Sequence, residues 1–336
     1  MLNIEWDKLT FKYMRTSCHI EYSYKDGNWS AGQLIEEPFI NISIAASTLH
    51  YGQELFEGMK AFSTSDGRIC VFRPKQNFIR LNETSRYICM PDISEEMYFD
   101  SLNRVIKANS EYVPPYGTGG SLYIRPLLIG TGPVIGVEPS AEYKYIVMVM
   151  PVGAYYKDGL KTIDAVILDD YDRAAPNGSG RYKIGGNYAA GLLSAKIAKN
   201  MGYPAVLFLD PKEHKYIDEF STSNFFGITK DGKYLTPKSK SILPSVTNMS
   251  LMQLADDLGI KVERRPIEFE ELSTFSEVGA CGTAVVITPI RKIVRGERKF
   301  YFGEECGVIS RKLYETLTSL QVGNYPDKHN WLKQIV

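Results

Sequence analysis

The order of strand-like and helix-like segments constrains the fold of this 336-residue chain more than any other feature. Short apolar runs at 121–129, 143–151 and 163–168 are typical of buried strands, whereas 94–112 and 245–258 carry apolar residues at helical spacing. These segments are mixed without the strict βα alternation of a doubly wound sheet. We therefore predict an α+β fold, and the length favours two domains.

One polar, glycine-bounded stretch interrupts the pattern, Gly-Ala-Tyr-Tyr-Lys-Asp-Gly at 153–159. Such a composition is typical of a connector between domains. We predict a small N-terminal α+β domain at 1–152, an interdomain loop at 153–160 and a large C-terminal α+β domain at 161–336.

Two helices of the C-terminal half are predicted in more detail. The alanine-rich segment 187–201 is expected to form one helix, with Leu193, Ile197 and Met201 as its apolar stripe. Ser245 is expected to cap the helix that follows it, because a serine side chain satisfies a free backbone N–H at a helix start.

Composition excludes several classes of function. Lysine plus arginine total 39 and aspartate plus glutamate total 39, so the formal charge is zero and neither nucleic acid nor an anionic membrane is expected as the main partner. Four histidines and five cysteines show neither metal-ligand spacing nor a CxxC pair, so no metal site is expected. No apolar run approaches the roughly 20 residues of a membrane-spanning helix, and the first residues resemble no signal peptide, so we expect a cytoplasmic protein.

Glycine-rich stretches do not match nucleotide-binding motifs. The spacing after Gly130 and after Gly178 fits neither the dinucleotide fingerprint nor a P-loop. The second stretch nevertheless places Lys183 among glycines at the start of a predicted helix. Partial burial or a nearby cation lowers the pKa of a lysine and allows its amine to form a Schiff base. Taken alone, an ordinary lysine in a surface turn remains the better interpretation.

A second segment changes that balance. Glu219 lies at the edge of an apolar, hydroxyl-rich run, and a buried carboxylate needs a partner. A protonated pyridine nitrogen is one such partner, and a surface lysine is another. A phosphate could bind at the helix start near Val246 and Thr247, at the small turn containing Thr283, or to Arg80.

Together these residues resemble the branched-chain amino acid aminotransferases, which are fold-type IV pyridoxal-phosphate enzymes. The resemblance covers nearly the whole chain, and the order of its pieces is specific although each piece is weak alone. The matching segments are 49–62, 72–74 with Arg80, 121–126, 151–155, 183–188, 219–224 and 282–284.

The resemblance implies pyridoxal 5'-phosphate as cofactor and assigns its contacts. Lys183 matches the lysine that forms the Schiff base and later moves the proton. Glu219 matches the acid that keeps the pyridine nitrogen protonated, and Tyr188 matches the tyrosine that hydrogen-bonds the phenolic oxygen. The positions around the phosphate match Arg80, Val246, Thr247 and Thr283.

The resemblance also implies a pocket that accepts branched-chain side chains and glutamate. Arg125 matches the residue near the side-chain carboxylate of glutamate, where charge-assisted hydrogen bonds are strong. The positions for the α-carboxylate match Tyr51, Tyr123 and the backbone of Thr283 and Ala284. The apolar walls match Phe56, Tyr155 and Tyr188.

The implied reaction is a ping-pong transamination between leucine, isoleucine or valine and 2-oxoglutarate, performed by a homodimer. Some family members carry a CxxC pair after the Gly-Thr-Ala turn, but here that position holds Val285-Val286-Ile287-Thr288. We therefore expect no thiol redox switch of that kind.

Three alternatives stay open. A D-amino acid aminotransferase or an aminodeoxychorismate lyase of the same fold would also use Lys183 and Glu219. A silent binding protein could have kept the fold without catalysis, although the intact lysine, glutamate and tyrosine argue against it.

Overall fold

The computed structural model describes residues 4–154 and 159–335. The chain divides into two compact units. Unit 1 comprises Met1–Tyr155, Tyr182–Gly185 and Leu320–Val336, and unit 2 comprises Tyr156–Arg181 and Gly186–Ser319. Lys183 thus belongs to unit 1 although the chain on both sides of it belongs to unit 2. The domain boundaries expected from the sequence stay a prediction.

Unit 1 is built on a nine-stranded antiparallel sheet with the order β18-β6-β5-β7-β8-β1-β2, in which β3 pairs with β1 and β4 pairs with β7. The strands are β1 (His19–Lys25), β2 (Asn28–Trp29), β3 (Gln33–Ile35), β4 (Glu54–Phe56), β5 (Met59–Ser63), β6 (Ile69–Phe72), β7 (Ser121–Gly130), β8 (Tyr143–Val152) and β18 (Leu332–Gln334). The helices are α1 (Ser47–Tyr51), α2 (Pro74–Tyr87) and α3 (Glu95–Ala108).

Helix α3 shows how the sequence sets this packing. Ser94 caps it by accepting a hydrogen bond from the Met97 N–H at 3.1 Å, and two glutamates in the first turn favour the helix dipole. Its fully buried Leu102 and Val105 belong to the same core as residues of β7 and β8. Each such side chain contributes roughly 1.5–3 kcal/mol by leaving water. The helix is shorter than the predicted 94–112, because a separate 3-10 turn forms at Ser110–Tyr112.

Unit 2 contains a second nine-stranded sheet, with the order β11-β10-β9-β16-β15-β12-β13-β14 and β17 paired with β16. An additional β11–β12 pairing closes six of these strands into a ring. The ring encloses aromatic and aliphatic side chains such as Phe220, Phe225 and Ile290. The strands are β9 (Ile163–Ile167), β10 (Ala205–Leu209), β11 (Ile217–Phe220), β12 (Ser223–Thr229), β13 (Tyr234–Pro237), β14 (Val262–Arg265), β15 (Phe275–Gly282), β16 (Val286–Arg295) and β17 (Arg298–Tyr301).

The remaining helices are α4 (Gly185–Ala190), α5 (Leu192–Asn200), α6 (Val246–Asp257) and α7 (Val308–Gln321). The single helix predicted over 187–201 is wrong, because Gly191 separates α4 from α5 and glycine is among the poorest helix formers. Its predicted apolar stripe is also not the buried face: Leu193 is 57% and Met201 54% exposed, whereas Ser194 and Ala198 are buried.

The structure confirms the predicted α+β class. Across residues 4–154 and 159–335, every helix is too short or too polar to cross a membrane.

Candidate active site

Lys183 is anchored through its backbone to two elements of unit 1. Its carbonyl accepts a hydrogen bond from the Phe56 N–H at 3.1 Å, and its own N–H donates to Thr84 Oγ1 at 3.2 Å. The amine nitrogen lies 4.7 Å from the centre of the Phe56 ring. These contacts hold the lysine between β4 and α2, so its position is determined by the fold.

The surroundings of Lys183 lower its pKa to about 8. Burial is the larger cause because it disfavours the ammonium, and the positive charge of Arg80 acts in the same direction. Glu57 opposes both. A substantial fraction of the amine is therefore neutral, and nucleophilic, near neutral pH.

Arg80 forms a buried ion pair with Glu57. Its Nε lies 2.7 Å from Oε1 and its Nη2 lies 2.8 Å from Oε2, so the guanidinium contacts both carboxylate oxygens. Asn77 Nδ2 donates to Oε2 at 2.7 Å. Burial alone would raise the pKa of Glu57, but Arg80 and Asn77 hold it below its ordinary value, so the pair is charged.

Sequence patterns gave Glu57 no role, although it lies within a matching motif, and they did not single out Thr84. The signal for Glu57 was a carboxylate inside an otherwise apolar run between β4 and β5. Its buried partner lies 23 residues further along the chain and could not be identified from spacing.

Tyr123 and Arg125 lie on the same face of β7. Arg125 Nη2 donates to Tyr123 Oη at 2.9 Å, and the guanidinium carbon lies 4.7 Å from the centre of the Phe56 ring. Arg125 Nε is buried and has no hydrogen-bond partner within the described residues. A buried guanidinium N–H without a protein partner suits an anionic ligand.

The structure therefore brings five of the predicted residues together in unit 1. They are Phe56, Arg80, Tyr123, Arg125 and Lys183. Tyr51 lies in α1, where it is 45% exposed and its hydroxyl donates to the backbone oxygen of Ile135. Tyr155 lies outside the described residues.

Glu219 is the centre of a buried polar group in unit 2. Arg173 Nη2 lies 2.8 Å from its Oε1, which also accepts the Leu243 N–H at 2.9 Å. Asn224 Nδ2 donates to its Oε2 at 2.6 Å. Arg173 was not singled out from the sequence, because it lies in an irregular loop without periodicity.

Burial raises the pKa of Glu219 to about 7. The charge of Arg173, the Leu243 N–H and the Asn224 amide all act to lower it, and the neighbouring Asp218 acts to raise it. The carboxyl group is therefore poised to exchange a proton with a basic partner near neutral pH.

The start of α6 is held close to Glu219 by two asparagines. Asn224 Nδ2 donates to the Leu243 carbonyl at 3.1 Å, and Asn248 Nδ2 donates to Asn224 Oδ1 at 3.2 Å. Ser245 Oγ accepts from the Asn248 N–H, which confirms the predicted cap. The first helical residues, Val246 and Thr247, are buried at this end, where free N–H groups and the helix dipole favour an anion.

The turn containing Thr283 and Ala284 lies beside the same group. It follows Cys281, which pairs directly with Asn224 across β15 and β12. Both turn residues are partly exposed. Tyr188 lies in α4 and is also partly exposed. Unit 2 thus gathers segments around 173, 219–224, 243–248 and 281–284 at one place.

Comparisons with known proteins agree in one family. The model of the class IV amino-transferases matches residues 54–293. A branched-chain-amino-acid aminotransferase of Helicobacter pylori is 45% identical over 335 residues, which are 99% of this chain and 98% of that protein.

Solved structures give the same result. The branched-chain amino acid aminotransferase of Escherichia coli superposes with a TM-score of 0.80 at 30% identity, covering 94% of this chain and 99% of that one. A second enzyme with that description, from a source abbreviated T.th. and solved with pyridoxamine 5'-phosphate, gives 0.79 at 25% identity, covering 94% and 98%. The chain therefore belongs to the class IV aminotransferases and, within them, to the branched-chain-amino-acid aminotransferases.

Proposed function

We propose that this protein transfers the amino group of leucine, isoleucine or valine to 2-oxoglutarate with pyridoxal 5'-phosphate as its cofactor. The observation that carries the proposal is the anchored amine of Lys183, whose pKa is lowered to about 8 in a chain of this family. A D-amino acid aminotransferase and a lyase are not favoured, because the full-length relatives are branched-chain enzymes.

The residues present fit pyridoxal phosphate at three chemically distinct points. The amine of Lys183 suits the aldehyde, the carboxylate of Glu219 suits the ring nitrogen, and the start of α6 at Thr247 suits the phosphate. Bound pyridoxal phosphate supplies an electron sink for the carbanion that forms at the substrate Cα. We assign its contacts to Lys183, Glu219, Tyr188, Arg80, Val246, Thr247 and Thr283.

Lys183 has a second task in this proposal, because its Nζ accepts the α-proton of the substrate and later returns a proton. General acid–base catalysis is most effective when the pKa of the group lies near the working pH. A pKa of about 8 meets that condition, whereas the ordinary value of 10.5 does not.

Substrate binding is assigned to a mixed polar and aromatic set. Tyr51, Tyr123 and the backbone of Thr283 and Ala284 receive the α-carboxylate. Arg125 receives the side-chain carboxylate of glutamate, and its buried Nε without a partner among the described residues supports that role. Apolar walls are assigned to Phe56, Tyr155 and Tyr188.

We also propose a homodimer located in the cytoplasm. An apolar patch in unit 1 supports self-association: Ile44 is 89%, Val137 87%, Ile135 66% and Leu49 60% exposed. The patch is continuous, because Val134 N–H donates to the Ala45 carbonyl at 2.8 Å. Exposed apolar clusters of this kind are typical of interaction sites.

The first experiment is the visible absorption spectrum of the protein loaded with pyridoxal phosphate, before and after L-leucine is added without any oxo acid. We expect a long-wavelength band that converts to the pyridoxamine band with L-leucine and stays unchanged with D-alanine. A band that responds to D-alanine and not to L-leucine would contradict the substrate assignment. Failure of the protein to bind the cofactor would contradict the function itself.

A further inference from the structure

Arg173 directly contacts the carboxylate of Glu219, and the proposed function gives it no task. Its side chain is 9% exposed and that of Glu219 is 3% exposed, so both charges are buried. Its Nη2 lies 2.8 Å from Glu219 Oε1 and also donates to the carbonyls of Gly180, at 2.6 Å, and Ser241. The guanidinium is therefore fixed by two backbone segments that flank Glu219.

Buried ion pairs are retained only where further hydrogen bonds offset the loss of hydration. For Arg173 that condition is met only in part, because its Nε is buried without a partner within the described residues. A residue serving stability alone would be replaced by an apolar side chain without a penalty of this kind. The unsatisfied Nε is instead consistent with an arginine that is placed for its charge.

The remaining groups that face Glu219 cannot replace that charge. Asn224 and the Leu243 N–H are neutral donors, and Asp218 is a carboxyl group that disfavours ionisation of its neighbour. The buried Cys281 thiol stays protonated, because burial and the charge of Glu219 raise its pKa well above the ordinary value. Of the described groups around Glu219, Arg173 supplies the positive charge that stabilises the carboxylate.

We propose that Arg173 is a positioning residue for the transamination: it holds Glu219 as an oriented carboxylate and thereby keeps the ring nitrogen of bound pyridoxal phosphate protonated. This inference rests on the proposed function, in which Glu219 is the partner of that nitrogen. A proton shared between a carboxylate and a pyridine moves to the carboxylate when the carboxylate becomes more basic. Removing Arg173 makes Glu219 more basic, so the ring nitrogen loses its proton.

The test loads the protein with pyridoxal phosphate labelled with nitrogen-15 in the ring and records the nitrogen chemical shift at neutral pH. The variants are Arg173→Met, Arg173→Lys and Arg298→Met. The last is a matched control, since Arg298 forms an arginine–glutamate pair with Glu270 that is exposed in the same unit. Single-turnover rates with L-leucine and melting temperatures are measured on the same samples.

We expect a protonated ring nitrogen in the wild type and in the control, and loss of most of that signal in Arg173→Met. Each unit of change in relative proton affinity corresponds to a tenfold change in the protonated fraction, so the single-turnover rate should fall at least about tenfold. Arg173→Lys keeps the charge but not the planar fork, so it should retain part of the protonated signal.

The outcomes separate the two proposals. If both Arg173 variants keep the wild-type shift while their melting temperatures fall, the inference is overturned and Arg173 is structural. If the wild type itself holds an unprotonated ring nitrogen or binds no cofactor, the assignment of Glu219 fails and this inference fails with it. If Arg173→Met does not fold, the shift of Arg173→Lys decides: a fully protonated signal at an unchanged rate overturns the inference.

Discussion

Burial moves the pKa values of Lys183 and Glu219 toward neutrality from opposite sides. It disfavours the charged form of each, which lowers the pKa of the amine to about 8 and raises that of the acid to about 7. Each group also has a nearby charge that adjusts the shift, Arg80 for the lysine and Arg173 for the glutamate. One physical effect therefore supplies both the proposed nucleophile and the proposed ring partner.

Capture of pyridoxal phosphate by the protein freed of cofactor should depend on pH through Lys183. Only the neutral amine reacts, so the initial rate should fall about tenfold per pH unit well below pH 8 and level off above it. Stopped-flow absorbance measures this rate, and Lys183→Ala gives the background from other lysines. A midpoint near 10.5, the ordinary lysine value, would show that the fold does not activate this amine.

Replacing Glu57 with glutamine should leave Arg80 buried without its counter-charge. Breaking a buried pair on one side is strongly destabilising, and we expect the free energy of unfolding to fall by about 3 kcal/mol at neutral pH. Chemical denaturation measures the change. Glu270→Gln is the control, because its exposed pair with Arg298 should contribute at most about 1 kcal/mol.

The pH dependence of that difference has a definite sign. The pKa of Glu57 is held below its ordinary value of 4.5, so its stabilisation is present above that pH and is lost as the pH falls through the folded-state value. The gap between wild type and Glu57→Gln should therefore narrow below about pH 4.5. A gap that is constant with pH would contradict an ionised Glu57.

Among the secondary-structure elements, the start of α6 combines a structural cap with a proposed phosphate site. Ser245→Ala removes the acceptor for the Asn248 N–H and should lower stability by about 1 kcal/mol. It should also weaken pyridoxal phosphate binding, since the first turn loses its alignment. Ser94→Ala is the matched control, because it removes the equivalent cap of α3 in unit 1. Equal cofactor affinity in the two variants, measured by fluorescence titration, would remove α6 from the phosphate site.

Sequence patterns identified elements more reliably than boundaries or buried faces. The capped helix at α6 and the long strands β7 and β8 follow directly from local composition. The helix over 187–201 failed at Gly191, and its apolar stripe was on the exposed side, because periodicity does not reveal which face another element covers. The buried partner of Glu57 and the covered face of α5 could not be identified without the tertiary contacts.

For the complete chain, the exposed apolar patch should govern self-association. The double variant Ile135→Asp and Val137→Asp places two charges on residues that are 66% and 87% exposed, so folding of the chain should be unaffected. Size-exclusion chromatography with light scattering should show a dimer for the wild type and a monomer for this variant. Phe39→Asp is a control at another exposed aromatic position, 80% exposed. A variant that remains dimeric would place the interface elsewhere.

Local motifs in the sequence were enough to establish the family, the α+β class and the identities of the chemically important lysine and glutamate. They were enough because the motifs carrying these residues are short and keep their order along the chain. The partners that tune these residues emerged only from the three-dimensional arrangement, since Arg80 reaches Glu57 and Arg173 reaches Glu219 across long sequence separations. Burial and charge pairing depend on distances in space, and the pKa values that make Lys183 and Glu219 useful follow from those distances.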